Sequence, residues 1–461
     1  MSEAQRRAAD NGITEGVIWK QLLLFFFPIL MGSFFQQMYN TVDTVVVGRF
    51  AGTTSLAAVG TSGTLVNLLF GFFVSLASGA TVVISQFFGS QNDQGVHDGV
   101  HTGIAMAIIG GLLITVIGLI VAPFALNWMN VPEDVQPEAL VYLRIFFCGM
   151  VVSMLYNVGA AILRALGDSR RPMLYLIVCC FFNVVLDLLL VVVFKLGVAG
   201  VAIATVLAQA VSAALVVLAL MRQQDSSRLI WKDVRIHRHL LMNVLHIGIP
   251  AGLQSCMYSI SNIIIQSGVN SFGSTTLAAW TAFGKTDAIV WMVMGAFGTA
   301  ITTFVGQNFG AQKYDRMRRS VRICMAMAVG ATLLLTVFVL TMNRFLLGLF
   351  TSDAAVIDAG SEMLWAIGPY YTLYVCIEIL AGAMRGCGES LRPMLLIGCG
   401  ICLFRVVWVM LVMQFAHTVP MLALSYPLSW GLTSALFVVY YLRGNWLRHR
   451  IAVMGYEPEK R

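Results

Sequence analysis

The chain has 461 residues, a formal net charge of +7, 58% hydrophobic residues and only 11% charged ones. A soluble domain carries about 25% charged residues, and a mean hydropathy of +0.82 points instead to an integral membrane protein. No Lys/Arg run is interleaved with aromatics on a soluble domain, which excludes nucleic acid as a partner and leaves the positive excess to topology.

A bilayer core takes about 20 apolar residues per helix. In chain order, twelve runs qualify: 17–47, 54–88, 97–126, 136–165, 171–194, 198–221, 238–270, 276–308, 317–346, 357–385, 392–415 and 419–443. The first lacks a small-residue cleavage pattern and reads as a span, not a removable signal. The nine cysteines form no framework in outward loops and read as free thiols. Cys399 and Cys402 make a CxxC inside an apolar run, where packing, not zinc or redox chemistry, is expected.

Lysine and arginine set the orientation. Twenty-three fall on one set of loops and termini, and only Arg49, Lys195 and Arg344 on the other. Both termini are therefore expected in the cytoplasm, with the bilayer of the plasma (inner) membrane as the chain's surroundings.

LRALGDSRRPM at 163–173 and MRGCGESLRPM at 384–394 share six of eleven positions at an offset of 221. The same offset pairs GTTSLAA (52–58) with GSTTLAA (273–279), and QFFGSQ (86–91) with QNFGAQ (307–312). The chain is thus expected to be all-α, with twelve transmembrane helices in two homologous six-helix lobes. An even number of spans per half gives a parallel repeat, with a pseudo-twofold axis along the membrane normal. The expected division is 1–221 for the N-terminal lobe, 222–240 for a cytoplasmic linker, 241–443 for the C-terminal lobe and 444–461 for a cytoplasmic tail. Duplicated halves favour a transporter working by alternating access. Pro172 and Pro393 suit the first turn of a helix, where a missing N–H costs nothing.

The twelve spans, the paired Gly-Asp/Glu-Ser-x-Arg-Pro-Met loops and the Gln-x-Phe-Gly-x-Gln segments resemble the multidrug and toxic compound extrusion (MATE) family over nearly the whole chain. The resemblance implies a secondary antiporter, coupled to Na⁺ or H⁺, that exports organic, often cationic, drugs and amphiphiles.

Charged residues at membrane depth are functional candidates by default. Span 1 carries Gln36, Asn40 and Asp43 on one face, span 5 carries Asn183 and Asp187 four apart, and span 6 carries Thr205 and Gln209 four apart. Span 4 adds Asn157. At ~1.5 Å per residue, Asp43 and Asp187 lie roughly 9 and 12 Å from the basic residues at their outer ends, and Thr205 at a similar depth. Two carboxylates, an amide and a hydroxyl supply hard oxygen ligands for Na⁺. Alternatively, two like charges in low dielectric share a proton. Members of the family's DinF-like branch place a cation site in the N-terminal lobe, and that resemblance assigns its residues to Asp43, Asn183, Asp187 and Thr205. It also assigns a helix-bending role to Pro28 and, less directly, Tyr142 beside the site.

The second half differs. The offset takes Asp43 to Ile264, Asn183 to Phe404 and Asp187 to Trp408. Lys285, Asp287, Glu378 and Arg405 stand there instead and are expected to form a structural charge network, with substrate or proton coupling as the alternative. Met257, Trp280 and Met292 are weaker candidates for cavity lining.

Several other classes fail. FGKT at 283–286 lacks the earlier glycine of a phosphate loop, with Ala279 in its place, so no nucleotide partner is expected. No histidine lies mid-span beside carboxylates, so an enzyme is not expected, nor any cofactor beyond the coupling ion. His97 and His101, four apart at a cytoplasmic end, read as a solvated face and not a metal pair. A flippase for lipid-linked precursors, of similar two-lobe build, would need a strongly basic cavity and ranks second.

Overall fold

The computed structural model describes residues 13–129, 131–415 and 418–456. Arg6, Arg7, Lys460 and Arg461, which contribute to the charge asymmetry above, lie outside the described residues. Among the described residues every regular element is helical. Lipid cannot hydrogen-bond the backbone, so each crossing segment must satisfy its own peptide groups. Among the described residues eleven helical segments are long and apolar enough to cross a membrane, and one bent pair makes a twelfth.

The chain forms two compact units. The first covers Leu24–Gly252. Its helices are α1 (Ile18–Val46), which begins before the unit does, then α2 (Thr53–Gly89), α3 (Asp93–Trp128), α4 (Gln136–Cys148), α5 (Met150–Ala165), α6 (Arg170–Asp187) and α7 (Gly197–Met221). α4 and α5 are the bent pair, turning by 49° at Gly149. The start of α8 (Arg238–Asn270) also packs in this unit. It does so through glycines: a Cβ on Gly79 of α2 would stand 2.3 Å from the Val244 carbonyl oxygen. Only a bare Cα permits that approach.

The stretch between α7 and α8 is fastened to α3. His101 is fully buried. Its Nδ1 donates to the His97 carbonyl at 2.7 Å, and its Nε2 accepts the Ile230 N–H at 3.0 Å. Thr102 accepts the His237 N–H at 3.2 Å, and Ser226 donates to Asp93 at 2.8 Å. The expectation of a solvated histidine face therefore fails at His101, because the linker folds back over it.

The second unit takes in Ile13–Leu23 and the chain from Leu253 onward. It contains α9 (Ser274–Gly310), α10 (Tyr314–Thr341), α11 (Asn343–Gly348), α12 (Ala354–Ile367), α13 (Tyr371–Gly386), α14 (Leu391–Ile397), α15 (Phe404–Phe415), α16 (Val419–Arg443) and α17 (Trp446–Val453). A π-helical turn at Gly398–Leu403 joins α14 to α15. Arg316 of α10 grips the entry segment by donating to the carbonyls of Ile13, Glu15 and Gly16 and to Gln21 Oε1.

Backbone geometry repeats with the sequence. Gly52 and Gly273, Gln91 and Gln312, and Gly167 and Gly388 all have positive φ, and each pair is separated by 221 residues. The two halves thus share their tightest turns as well as their spans. In the Gly-Asp-Ser loop, Asp168 accepts the N–H groups of Arg170 and Arg171 at 3.0 and 3.1 Å, capping α6. Pro172 and Pro393 stand third in α6 and α14, within the first turn, where no intrahelical bond is lost.

Candidate functional site

Asp43 lies in the last turn of α1, Asp187 is the final residue of α6 with Asn183 one turn before it, and Thr205 sits in the first half of α7. Both carboxylate-bearing helices pass into π-helical turns, Val47–Ala51 and Leu188–Val193. Such turns are rare and frequent at functional sites. The four side chains are buried: Asn183 and Asp187 expose nothing and Asp43 and Thr205 7% each.

Thr205 Oγ1 donates to Asp43 Oδ2 at 3.1 Å and also lies 3.0 Å from the Val201 carbonyl. Asp187 and Asn183 lie beside Asp43, close enough to influence it but without hydrogen-bond geometry. Asp43 Oδ1, both oxygens of Asp187, and Oδ1 and Nδ2 of Asn183 are buried without a protein hydrogen-bond partner. Leaving one such group unpaired costs ~1–3 kcal/mol, more for a charged one. Five at one place are a strong departure from ordinary packing, in which nine-tenths or more of buried polar groups are paired. No arginine or lysine forms a salt bridge with either carboxylate among the described residues. Four unpaired oxygens and one hydroxyl therefore gather at one place, hard donors of the kind a monovalent cation takes.

Tyr142 is buried, stacks on Phe146 at 5.9 Å and lies within electrostatic reach of both aspartates. Tyr39, which the sequence does not single out, stands one helical turn before Asp43, and its hydroxyl accepts from Gln209 at 3.2 Å. The i, i+4 spacing of Tyr39 and Asp43 was the available signal. Pro28 is buried inside α1, which continues through it without a break. Two further residues were grouped with the site. Asn40 is exposed, and Asn157 donates to the Ser153 carbonyl at 2.8 Å.

Of the charges expected to form a network in the second unit, Arg405 lies within electrostatic reach of Asp287. Among the described residues no salt bridge joins any two of Lys285, Asp287, Glu378 and Arg405. Glu378 pairs with Arg385 at 3.5 Å and accepts from Tyr374. Asp287 accepts from Trp291 Nε1 at 2.5 Å, and Lys285 is exposed. Arg405 donates to Ser429 and lies over the Tyr426 ring at 3.9 Å. Asp287, Glu378 and Arg405 each have a nearer polar or aromatic partner. Trp280 lines a cavity here. Met257 packs on Gly398.

His97, His101 and Asp233 bring ligand-type atoms within 4.8 Å of one another. Because both ring nitrogens of His101 are already committed, it has no lone pair left for a metal.

Comparison with known proteins agrees with this architecture. The MatE family model matches twice, over residues 28–189 and 250–411, once in each half. A probable multidrug resistance protein, YoeA, of Bacillus subtilis (strain 168) is 28% identical over 403 residues, covering 85% of this chain and 86% of its own. The multidrug export protein MepA of Staphylococcus saprophyticus is 21% identical, over 75% of this chain and 77% of its own. A solved MOP superfamily transporter from Pyrococcus furiosus Vc1 superposes with a TM-score of 0.88 at 20% identity, covering 97% of this chain and 99% of that one. That likeness shows the shared fold. With the family model matched in both halves, the chain belongs to the MatE family, and it is a multi-pass membrane transporter, not an enzyme.

Proposed function

We propose that the chain is a cation-coupled antiporter that exports organic compounds, organic cations and amphiphiles among them, with Asp43, Asn183, Asp187 and Thr205 as the coupling site. The observation that carries this reading is the cluster of five unpartnered buried polar atoms around Asp43 and Asp187. A cluster of such atoms calls for a partner. Na⁺ and a shared proton both meet that need, and the imposed-gradient measurement separates them. The relatives' names, multidrug resistance and multidrug export, support drug-like organic cargo.

The coupling follows from linkage. A cation that binds one conformation better than the other shifts the balance toward it by its difference in affinity and no more. The Thr205 hydroxyl offers a local way to create that difference. It has one proton and two acceptors, Asp43 Oδ2 and the Val201 carbonyl. Turned to Val201, it presents a lone pair beside the carboxylate, where a cation gains a ligand. The loop charges favour cytoplasmic termini, and an inward cation gradient would drive export outward across the plasma membrane.

The test is dye efflux from energised cells. Wild type should lower ethidium accumulation, and Asp187→Asn, at equal membrane abundance, should not. Full efflux by Asp187→Asn would contradict the assignment. The flippase reading would need a strongly basic cavity, whereas the second unit's cavity carries one arginine and one aspartate.

A further inference from the structure

The second unit contains a cavity of about 480 Å³ that the coupling site does not use. Its size falls within the ~300–1,000 Å³ of small-molecule sites. Trp280, Phe283, Trp291, Tyr374 and Tyr426 line it, together with Arg405 and Asp287.

Arg405 sets its chemistry. It is 3% exposed. Its Nε donates to Ser429 Oγ at 3.1 Å, and its guanidinium carbon lies 3.9 Å over Tyr426 and 5.7 Å from Trp430. Its Nη2 is buried and has no hydrogen-bond partner. An arginine stays charged inside a protein, so stacking replaces part of its lost hydration but leaves that donor unpaired. A carboxylate, like a phosphate, is an acceptor whose geometry matches the guanidinium fork.

The repeat sharpens the point. The offset of 221 takes Asn183 to Phe404 and Thr205 to Tyr426. The acids Asp43 and Asp187 map to Ile264 and Trp408, and Arg405 maps to Val184, so the charges of this cavity have no counterpart in the first unit. The aromatic walls add a demand for a flat ring system, which stacks on such faces beyond simple area burial.

We propose that this cavity is a binding site for a planar aromatic carboxylate, with Arg405 at the charged end and Trp280, Trp291 and Tyr426 against the rings. Asp287 tunes it. Its Oδ2 is taken by Trp291, and its Oδ1 is buried without a partner, so its charge opposes an incoming anion.

The experiment is calorimetric titration of the purified full-length protein in detergent with 2-naphthoate and, separately, 2-naphthylmethylammonium, which share a ring system and differ in charge. Naphthoate should bind saturably and at least tenfold tighter than the ammonium. Arg405→Lys keeps the charge without the fork and should weaken naphthoate severalfold; Arg405→Gln should abolish it. Trp280→Ala, which leaves the buried arginine in place, should also weaken it severalfold, and this arm stands if Arg405→Gln does not fold. Asp287→Asn should tighten naphthoate. Dihexanoyl phosphatidic acid should compete poorly. The proposal is overturned if naphthoate gives no saturable heat, if the ammonium binds as well or better, or if the phosphatidic acid displaces naphthoate at equal concentration. It is equally overturned if Arg405→Lys and Trp280→Ala both leave the affinity unchanged.

Discussion

Thr205 Oγ1 stands 3.1 Å from Asp43 Oδ2, joining α7 to α1 across 162 positions of sequence. A hydrogen bond to a charged group is worth about 1.5–3 kcal/mol. Thr205→Ser keeps the hydroxyl and should keep coupled transport near the wild-type rate. Thr205→Ala removes it and should weaken activation by the coupling ion roughly tenfold, at ~1.4 kcal/mol per decade. The dependence of transport rate on the concentration of that ion measures both.

Close packing of α2 on α8 rests on Gly79, whose added Cβ would meet the Val244 carbonyl at 2.3 Å. Backbone cannot yield as a flexible side chain does. Gly79→Ala should therefore destabilise the first unit by about 1–3 kcal/mol. Gly284, whose added Cβ would meet nothing within 4 Å, is the control, and Gly284→Ala should unfold thermally within a degree or two of wild type.

The linker's attachment to α3 depends on the protonation of one ring. His101 Nδ1–H is used by His97, and Nε2 must be unprotonated to accept the Ile230 N–H. Adding a proton at Nε2 sets two donors against each other. Asp98, Asp233, His97, His237 and Arg235 surround the junction. Tryptic cleavage at Arg228 and Lys232 should be slow at neutral pH and faster as the pH falls. His101→Phe should cleave fast at every pH. Cleavage that is equally slow in His101→Phe and wild type would show that the ring does not hold the linker.

Arg316 holds the segment before α1 through three backbone carbonyls and Gln21. Lysine is a point charge and cannot reproduce the fork. Amide exchange over residues 13–21 should rise severalfold in Arg316→Lys and further in Arg316→Ala, with exchange in α3 unchanged.

Much of this was legible from the sequence because the bilayer enforces it. Span lengths follow hydrocarbon thickness, so 238–270 and 419–443 match α8 and α16 as they stand. The repeat was legible because its turns need positive φ at Gly52, Gly167 and their partners. Asp43 with Asp187 could be paired because their depths agreed. Asn40 was grouped with them, yet residues three apart on a helix differ by about 60° around its axis, and it turns outward. The second unit was harder. Lys285, Asp287, Glu378 and Arg405 were counted as charges that cancel, but partners depend on which faces meet. Trp291 and Tyr426 claimed Asp287 and Arg405. Neither the 49° bend at Gly149 nor the burial of His101 under the linker leaves a pattern in local spacing.

The central claim is that Asp43 couples cation movement to export. Purified wild type and Asp43→Asn in sealed vesicles, with Na⁺ and pH gradients imposed one at a time, test it most directly. Wild type should accumulate an organic cation against its gradient under one of the two. Asp43→Asn should show no gradient-driven accumulation while still exchanging labelled for unlabelled substrate. Undiminished accumulation by Asp43→Asn would contradict the account.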